Sequence, residues 1–170
     1  MNRRNNTVTK DVLASKGIRF ANFIIDYIVQ ILLGAVLGVV IALLSELTGN
    51  YTFYEIVIES ESRLSDYLLG IFILLLYFNV IEALTGRSIG KFITKTKVVT
   101  HEGLRPTFSD ILIRTLSRLI PFEQFSFLGE EGKGWHDSIS KTYVVDIEKF
   151  ESKNKIKQGI EEIGQIGEDM

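Results

Sequence analysis

The sequence predicts an all-α membrane protein with two transmembrane helices, one amphipathic or re-entrant helix and a small cytoplasmic β element. Two long apolar runs, residues 18–44 and 67–84, predict the transmembrane helices, because about 20 apolar residues cross the hydrocarbon core of a bilayer as a helix. A third apolar segment, residues 108–128, is interrupted by two arginines and a proline, so we expect it to lie at the interface or to be re-entrant. Two β-branched stretches, residues 96–100 and 141–147, predict a pair of strands.

The first apolar run carries polar and small residues on one face of the predicted helix, because positions four apart drift slowly around a helix. These residues are Arg19, Asn22, Asp26, Gln30, Gly34 and Gly38. Arg19 and Asp26 are separated by about 10 Å along the axis at 1.5 Å per residue, so they cannot pair directly. A carboxylate inside a membrane helix costs roughly 2.5–3.5 kcal/mol on insertion scales. Each charge therefore requires a partner from elsewhere in the chain.

Gly34 and Gly38 have the GxxxG spacing that lets helix backbones approach closely. This spacing favours helix packing within the chain or between chains, and the alternative is an accident of a glycine-rich helix. The second apolar run places Asn79 and Glu82 on one face, three residues apart. In the acidic loop between the runs, residues 52–58 fit either a short strand or a short helix.

The distribution of Lys and Arg predicts the orientation of the protein in the membrane. The loop at residues 45–66 contains one basic residue, Arg63, whereas basic residues flank both apolar runs. The positive-inside rule therefore places both termini in the cytoplasm and the acidic loop outside. We expect a polar basic segment at residues 1–16, a membrane domain at residues 17–147, and a charged cytoplasmic tail at residues 148–170 with a weak amphipathic helical pattern.

The third apolar segment predicts an amphipathic helix over residues 109–120, with Ser109 as its N-cap and Pro121 after its end. Arg114 and Arg118 lie four residues apart and share one face of this helix. The opposite face is apolar. This pattern is typical of a helix that lies in the membrane interface, where the two arginines are suited to contact anionic lipid.

Several segments resemble the signatures of the RDD family of bacterial membrane proteins. They are KGIRFANFIID at residues 16–26, TGRSIGK at 85–91, TKVV at 96–99 followed by Gly103, IRTL at 113–116, WHDS at 135–138 and TYVV at 142–145. The resemblance covers roughly residues 12–146. It implies that Arg19, Asp26 and Asp137 are the arginine and two aspartates of the family name, and that Glu82 is the acidic residue that ends the second helix.

The resemblance also implies a location in the bacterial inner membrane and a function in transport of unidentified ligands, with cation/proton exchange proposed for some members. Many relatives carry a further hydrophobic segment before the final aspartate. In this chain the segment is reduced to residues 122–128. Pathways that need that helix are therefore not expected here.

Three basic and three acidic side chains predict a balanced cluster inside the protein, since buried charge requires compensation. They are Arg19, Arg114 and Arg118 with Asp26, Glu82 and Asp137, and Asn22 and Asn79 lie on the same helical faces. One hypothesis is a small transporter or channel-like protein that handles monovalent cations or protons at Asp26 and Glu82. The alternative is a non-transporting adaptor or lipid-binding protein in which the cluster is structural. Two spans alone do not enclose a pathway, so a transporter is expected to be a homo-oligomer.

Other classes of function find little support in the sequence. The net charge of −2 provides no basic field for nucleic acid, and the absence of cysteine excludes thiolate chemistry. The stretch from Gly86 to Lys91 has three residues between its glycines, not the four of a phosphate-binding loop, and predicts a tight turn with cationic headgroup anchors. His136 and His101 are the two histidines. We expect no metal site, no cofactor and no enzymatic activity, with the lipid bilayer as the main partner.

Overall fold

A computed structural model of the chain describes residues 8–59, 62–129 and 133–168. The helices in these ranges are α1 (Lys16–Thr48), α2 (Thr52–Val57), α3 (Arg63–Thr85), α4 (Ile89–Ile93), α5 (Phe108–Ser117), α6 (Trp135–Ile139) and α7 (Ile147–Glu168). The strands are β1 (Thr96–Thr100) and β2 (Thr142–Asp146), and two 3₁₀ turns lie at Lys10–Val12 and Glu123–Leu128. Parts of the predicted N-terminal segment (residues 1–7), loop (60–61) and tail (169–170) fall outside the described residues.

The helices α1 and α3 are long and apolar enough to cross a membrane, and the two predicted apolar runs lie within them. Both helices keep large apolar side chains exposed along much of their length, such as Ile28, Leu32 and Val36 on α1 and Phe72 and Leu76 on α3. Soluble proteins rarely expose apolar surface of this extent. The structure therefore confirms a mostly helical protein with two candidate membrane-spanning helices.

The GxxxG glycines lie beside apolar side chains of the same chain, with room for a methyl group at each. A methyl group built on Gly34 would lie 3.4 Å from Cδ1 of Ile73 on α3, and one on Gly38 would lie 3.6 Å from Cδ1 of Ile58. Both distances are ordinary van der Waals contacts, so each glycine sits beside a neighbour of the same chain. Whether the same spacing also joins two chains stays a prediction.

The two strands pair antiparallel, with Val98 opposite Val144, which confirms the predicted small sheet. One face of the sheet packs on the first turns of α7 and on the first 3₁₀ turn, in a core that contains Val12, Val99, Val145 and Phe150. Further along α7, Ile156, Ile160 and Ile163 are exposed. The tail is therefore helical, as its amphipathic pattern predicts. Within the described residues, no other part of the chain covers these three isoleucines.

Three local predictions are corrected or decided by the structure. The N-cap of α5 is Thr107, not Ser109: the Thr107 hydroxyl accepts from the Asp110 amide at 3.3 Å, and the Asp110 carboxylate accepts from the Thr107 amide at 2.8 Å. This reciprocal pair satisfies two free amides of the first turn. The helix ends at Ser117 and not at residue 120, because the next amides bond to carbonyls three residues back. Residues 52–57 are helical.

Candidate functional site

Eight ionisable side chains meet where the beginning of α1 and the end of α3 are covered by α4, α5, α6 and the second 3₁₀ turn. We call them the charge cluster: Arg19, Asp26, Glu82, Lys91, Arg114, Arg118, Glu123 and Asp137. Arg118 is 15% exposed at its side chain, and the other seven residues are each less than a tenth exposed. The cluster contains four cations and four anions. This balance is what a poorly solvated site requires.

Asp137 is the fully buried centre of the charge cluster. It forms ion pairs with Arg19 of α1 and Arg114 of α5, and it accepts a hydrogen bond of 3.1 Å from the amide of Gly134. Burial opposes the charged form, but Arg114 and the other nearby cations outweigh it and hold the pKa of Asp137 well below its usual range. Arg114 also donates to the Thr142 hydroxyl at 2.9 Å. The carboxylate thus joins α1, α5, α6 and β2.

Glu82 is shared by three cations. Its Oε1 accepts from Lys91 Nζ at 2.6 Å and lies 3.5 Å from Arg118, while its Oε2 lies 3.6 Å from Arg114 Nε. The prediction that Lys91 anchors the turn at the lipid headgroups is wrong, because its side chain is 4% exposed and folds back onto Glu82. Burial lowers the pKa of Lys91, although Glu82 opposes that shift.

Asp26 is held by neutral donors. It accepts from the Tyr77 hydroxyl at 2.7 Å, from the Ser88 hydroxyl at 2.6 Å and from the Gly90 amide at 2.7 Å. The expectation that an arginine of the cluster meets Asp26 is therefore corrected: none of the ion pairs in the described ranges includes it. The positive φ of Gly86 ends α3 and turns the chain so that the first residues of α4 face Asp26.

The two predicted asparagines have different surroundings. Asn22 accepts from the Thr94 hydroxyl at 2.5 Å and donates to the Thr96 hydroxyl at 3.1 Å, so it fixes the connection between α4 and β1 to α1. Asn79 is half-buried, and its Oδ1 is a buried atom that lacks a hydrogen-bond partner in the described part. Three further buried atoms also lack a hydrogen-bond partner in the described part: Glu82 Oε2, Arg114 Nε and Arg118 Nε. Unpaired polar atoms thus gather between α3 and α5.

A cavity of about 580 Å³ opens between α1 and α3 and reaches the charge cluster. Its charged end includes the cations Arg118, Arg114 and Lys91, the acids Asp26 and Glu123, and His136, and its walls are apolar side chains of the two spans: Ile31, Leu69, Ile73, Leu74 and Phe78. The guanidinium of Arg118 lies 3.7 Å over the ring of Phe78. The cavity therefore joins charged side chains of both signs, with Arg118 among them, to apolar walls.

The RDD family model matches residues 13–145 of this chain, about four-fifths of its length. The chain belongs to the RDD family. No curated protein and no solved structure matched it. The matched region of this RDD protein contains the whole charge cluster and the cavity. Of the residues that give the family its name, Arg19 pairs with Asp137, whereas Asp26 lies apart in its own set of hydrogen bonds.

His136 lies between two carboxylates in this RDD protein. Its Nδ1 hydrogen-bonds to Glu123, and its Nε2 lies 3.3 Å from Asp137 Oδ1. Burial lowers the pKa of His136 to about 4, with help from the cations Arg114 and Arg118, so the ring is neutral at pH 7. In the described ranges, no three acidic, histidine or cysteine side chains are placed to hold a metal ion.

Sequence reasoning missed Lys91, Glu123, His136, Tyr77 and Ser88 as members or partners of the site. Lys91 and Ser88 lie in the TGRSIGK segment, where the signal was present but was interpreted as a turn with surface anchors. Glu123 follows Pro121 in a short aromatic segment, and nothing in its sequence surroundings distinguishes it from a surface acid. Its place in the site depends on the 3₁₀ turn that carries it under α1.

Proposed function

We propose that this RDD family protein binds an anionic amphiphile between its two membrane helices. The headgroup contacts Arg118, and the hydrocarbon lies along the apolar walls of the cavity. One observation carries the proposal. The guanidinium of Arg118 borders the cavity with its side chain 15% exposed, and its nearest acidic oxygen among the described residues, on Glu82, is 3.5 Å away, at the limit of a hydrogen bond. A guanidinium that is paired this loosely favours an anionic acceptor that approaches from the cavity.

The shape of the cavity supports an amphiphile over a small inorganic anion. Its volume of about 580 Å³ falls within the range of ligand sites, roughly 300–1,000 Å³. The walls come from the two helices that face lipid, and Gly34 and Gly70 leave space along them. A lipid enters such a groove sideways from the bilayer. The proposal assigns binding and no enzymatic reaction to the site.

The proposal places the protein in the inner membrane of a bacterium, with both termini in the cytoplasm as the positive-inside rule predicts. It also places α5 and the second 3₁₀ turn in the inner leaflet as an interfacial, partly re-entrant element. The ring of Phe125 lies 6.4 Å from that of Phe23 on α1, and Ile120, Phe122 and Leu128 are exposed beside it. Apolar side chains at that level are suited to lipid.

Transport of cations or protons through Asp26 and Glu82, by a homo-oligomer, is the competing function. The geometry favours it less, because the Asp26 oxygens already accept three hydrogen bonds and Glu82 is shared by three cations. In proteoliposomes under Na⁺, K⁺ or H⁺ gradients we expect no flux above that of empty vesicles. Flux that Asp26→Asn abolishes, with the variant correctly inserted, would support the transporter instead.

Replacing Arg118 with glutamine is expected to weaken binding of phosphatidylglycerol by about ten- to a hundredfold, since a hydrogen bond to a charged group contributes about 1.5–3 kcal/mol. Binding is measured by native mass spectrometry of the purified protein in detergent with added phosphatidylglycerol or phosphatidylcholine. Arg87→Gln is the matched control, because Arg87 also stacks on a phenylalanine, Phe92, but does not border the cavity. Equal losses in both variants, or no preference for phosphatidylglycerol in the wild type, contradict the proposal.

A further inference from the structure

The charge cluster is neutral before any ligand enters. Its four cations balance its four anions, and His136, beside them, is uncharged at pH 7. A lipid phosphate at Arg118 adds one negative charge to a site that water reaches poorly. An uncompensated charge is costly in such surroundings. The anion is therefore expected to bind more tightly when a positive charge arrives with it.

His136 is the side chain best placed to supply that charge. In the neutral ring, Nδ1 donates to Glu123, which leaves Nε2 without a proton opposite the Asp137 oxygen at 3.3 Å. Two acceptors then face each other. A proton on Nε2 converts this contact into a hydrogen bond, so the imidazolium donates to both carboxylates. The ring also borders the cavity, which gives the proton a route.

The groups around His136 come from three elements. Glu123 on the 3₁₀ turn and Asp137 on α6 favour the charged ring, whereas Arg114 on α5 and Arg118 directly after it oppose the charged ring together with burial. A phosphate on Arg118 offsets the charge of one of the two opposing cations. Anion binding and protonation of His136 thus stabilise each other, because a ligand that favours one protonation state changes proton affinity by linkage.

We propose that binding of an anionic headgroup at Arg118 takes up one proton from solvent onto Nε2 of His136. This inference rests on the proposed function, since it requires the anion site. Affinity for the anion is then expected to rise as pH falls. The rise is up to tenfold per pH unit at pH values between the pKa of His136 in the lipid-bound protein and its pKa in the free protein. It becomes constant at lower pH, where His136 is charged in both states.

Proton uptake is measured by titrating the detergent-solubilised full chain with short-chain phosphatidylglycerol in buffers of different ionisation enthalpy, at several pH values from 5 to 8. The phosphodiester keeps one negative charge over this range, so any proton taken up belongs to the protein. We expect uptake that approaches one proton toward pH 5 in the wild type. In His136→Gln, the binding that remains is expected to take up no proton at any pH.

Nuclear magnetic resonance of the imidazole provides a readout that does not depend on a variant. The chain has two histidines, and the resonance of the exposed His101 is assigned by His101→Gln. Addition of phosphatidylglycerol is expected to move the titration of His136 to higher pH. Binding without proton uptake, or an unchanged His136 titration with lipid bound, overturns the coupling and leaves the proposed function intact. Absence of phosphatidylglycerol binding at every pH overturns the proposed function itself.

Discussion

Replacing Asp137 with asparagine is expected to destabilise the protein by about 3–5 kcal/mol, the usual cost of leaving a buried charge without its partner. Arg19 and Arg114 both pair with this carboxylate, and both are almost completely buried. Asparagine keeps the volume of the side chain and an oxygen for the Gly134 amide. The loss therefore reports the missing charge and not a cavity.

The measurement is unfolding of the purified variant in detergent, followed by circular dichroism against temperature and denaturant. Asp11→Asn is the control, since Asp11 pairs with Lys153 at 2.8 Å on the exposed surface. Exposed ion pairs contribute little, so its effect is expected to be much smaller. Similar unfolding curves for the two variants would show that the Asp137 ion pairs are solvated and that the cluster is not a buried network.

The sequence was sufficient to show that Arg19 and Asp26 need separate partners, because helical geometry alone keeps them apart. It was not sufficient to say which partners. Asp137 reaches Arg19 only because α6 folds back to the beginning of α1, and that contact spans 118 positions of the chain. Asp26 finds an amide and two hydroxyls, and such donors carry no charge by which sequence reasoning could recognise them.

At the N-cap of α5 and at Lys91, the sequence contained the relevant residues, but the prediction interpreted them wrongly. Thr107 and Ser109 are both good N-cap residues, and the choice depends on which one has an acid three residues later. Asp110 fulfils that condition for Thr107. Lys91 follows the second span closely enough to be interpreted as a headgroup anchor, yet α4 turns it toward Glu82. The incomplete pairing of Arg118 depends on the positions of its neighbours in three dimensions, so composition and spacing do not show it.

Replacing Gly90 with alanine is expected to separate α4 from α1. A methyl group at Gly90 would lie 2.6 Å from the Asn22 carbonyl oxygen and 2.9 Å from Asp26 Oδ1. The first of these atoms belongs to the backbone of α1 and cannot move aside. The helix must shift instead, which lengthens the bonds from Gly90 and Ser88 to Asp26. Overpacking costs about 1–3 kcal/mol and the loss of one such bond to a charged group about 1.5–3 kcal/mol, so we expect a loss of roughly 2.5–6 kcal/mol when one bond is lost.

The matched control for this variant is Gly17→Ala, because a methyl group at Gly17 in the first turn of α1 meets no atom of the described residues within 4 Å. Alanine there is expected to be neutral or slightly stabilising, since it forms helix more readily than glycine. Unfolding in detergent measures both variants. If Gly90→Ala is as stable as Gly17→Ala, α4 does not pack closely against α1. Asp26 then does not accept all three of its hydrogen bonds. In that case the carboxylate is available to a cation, and the flux experiment on Asp26→Asn becomes the decisive one.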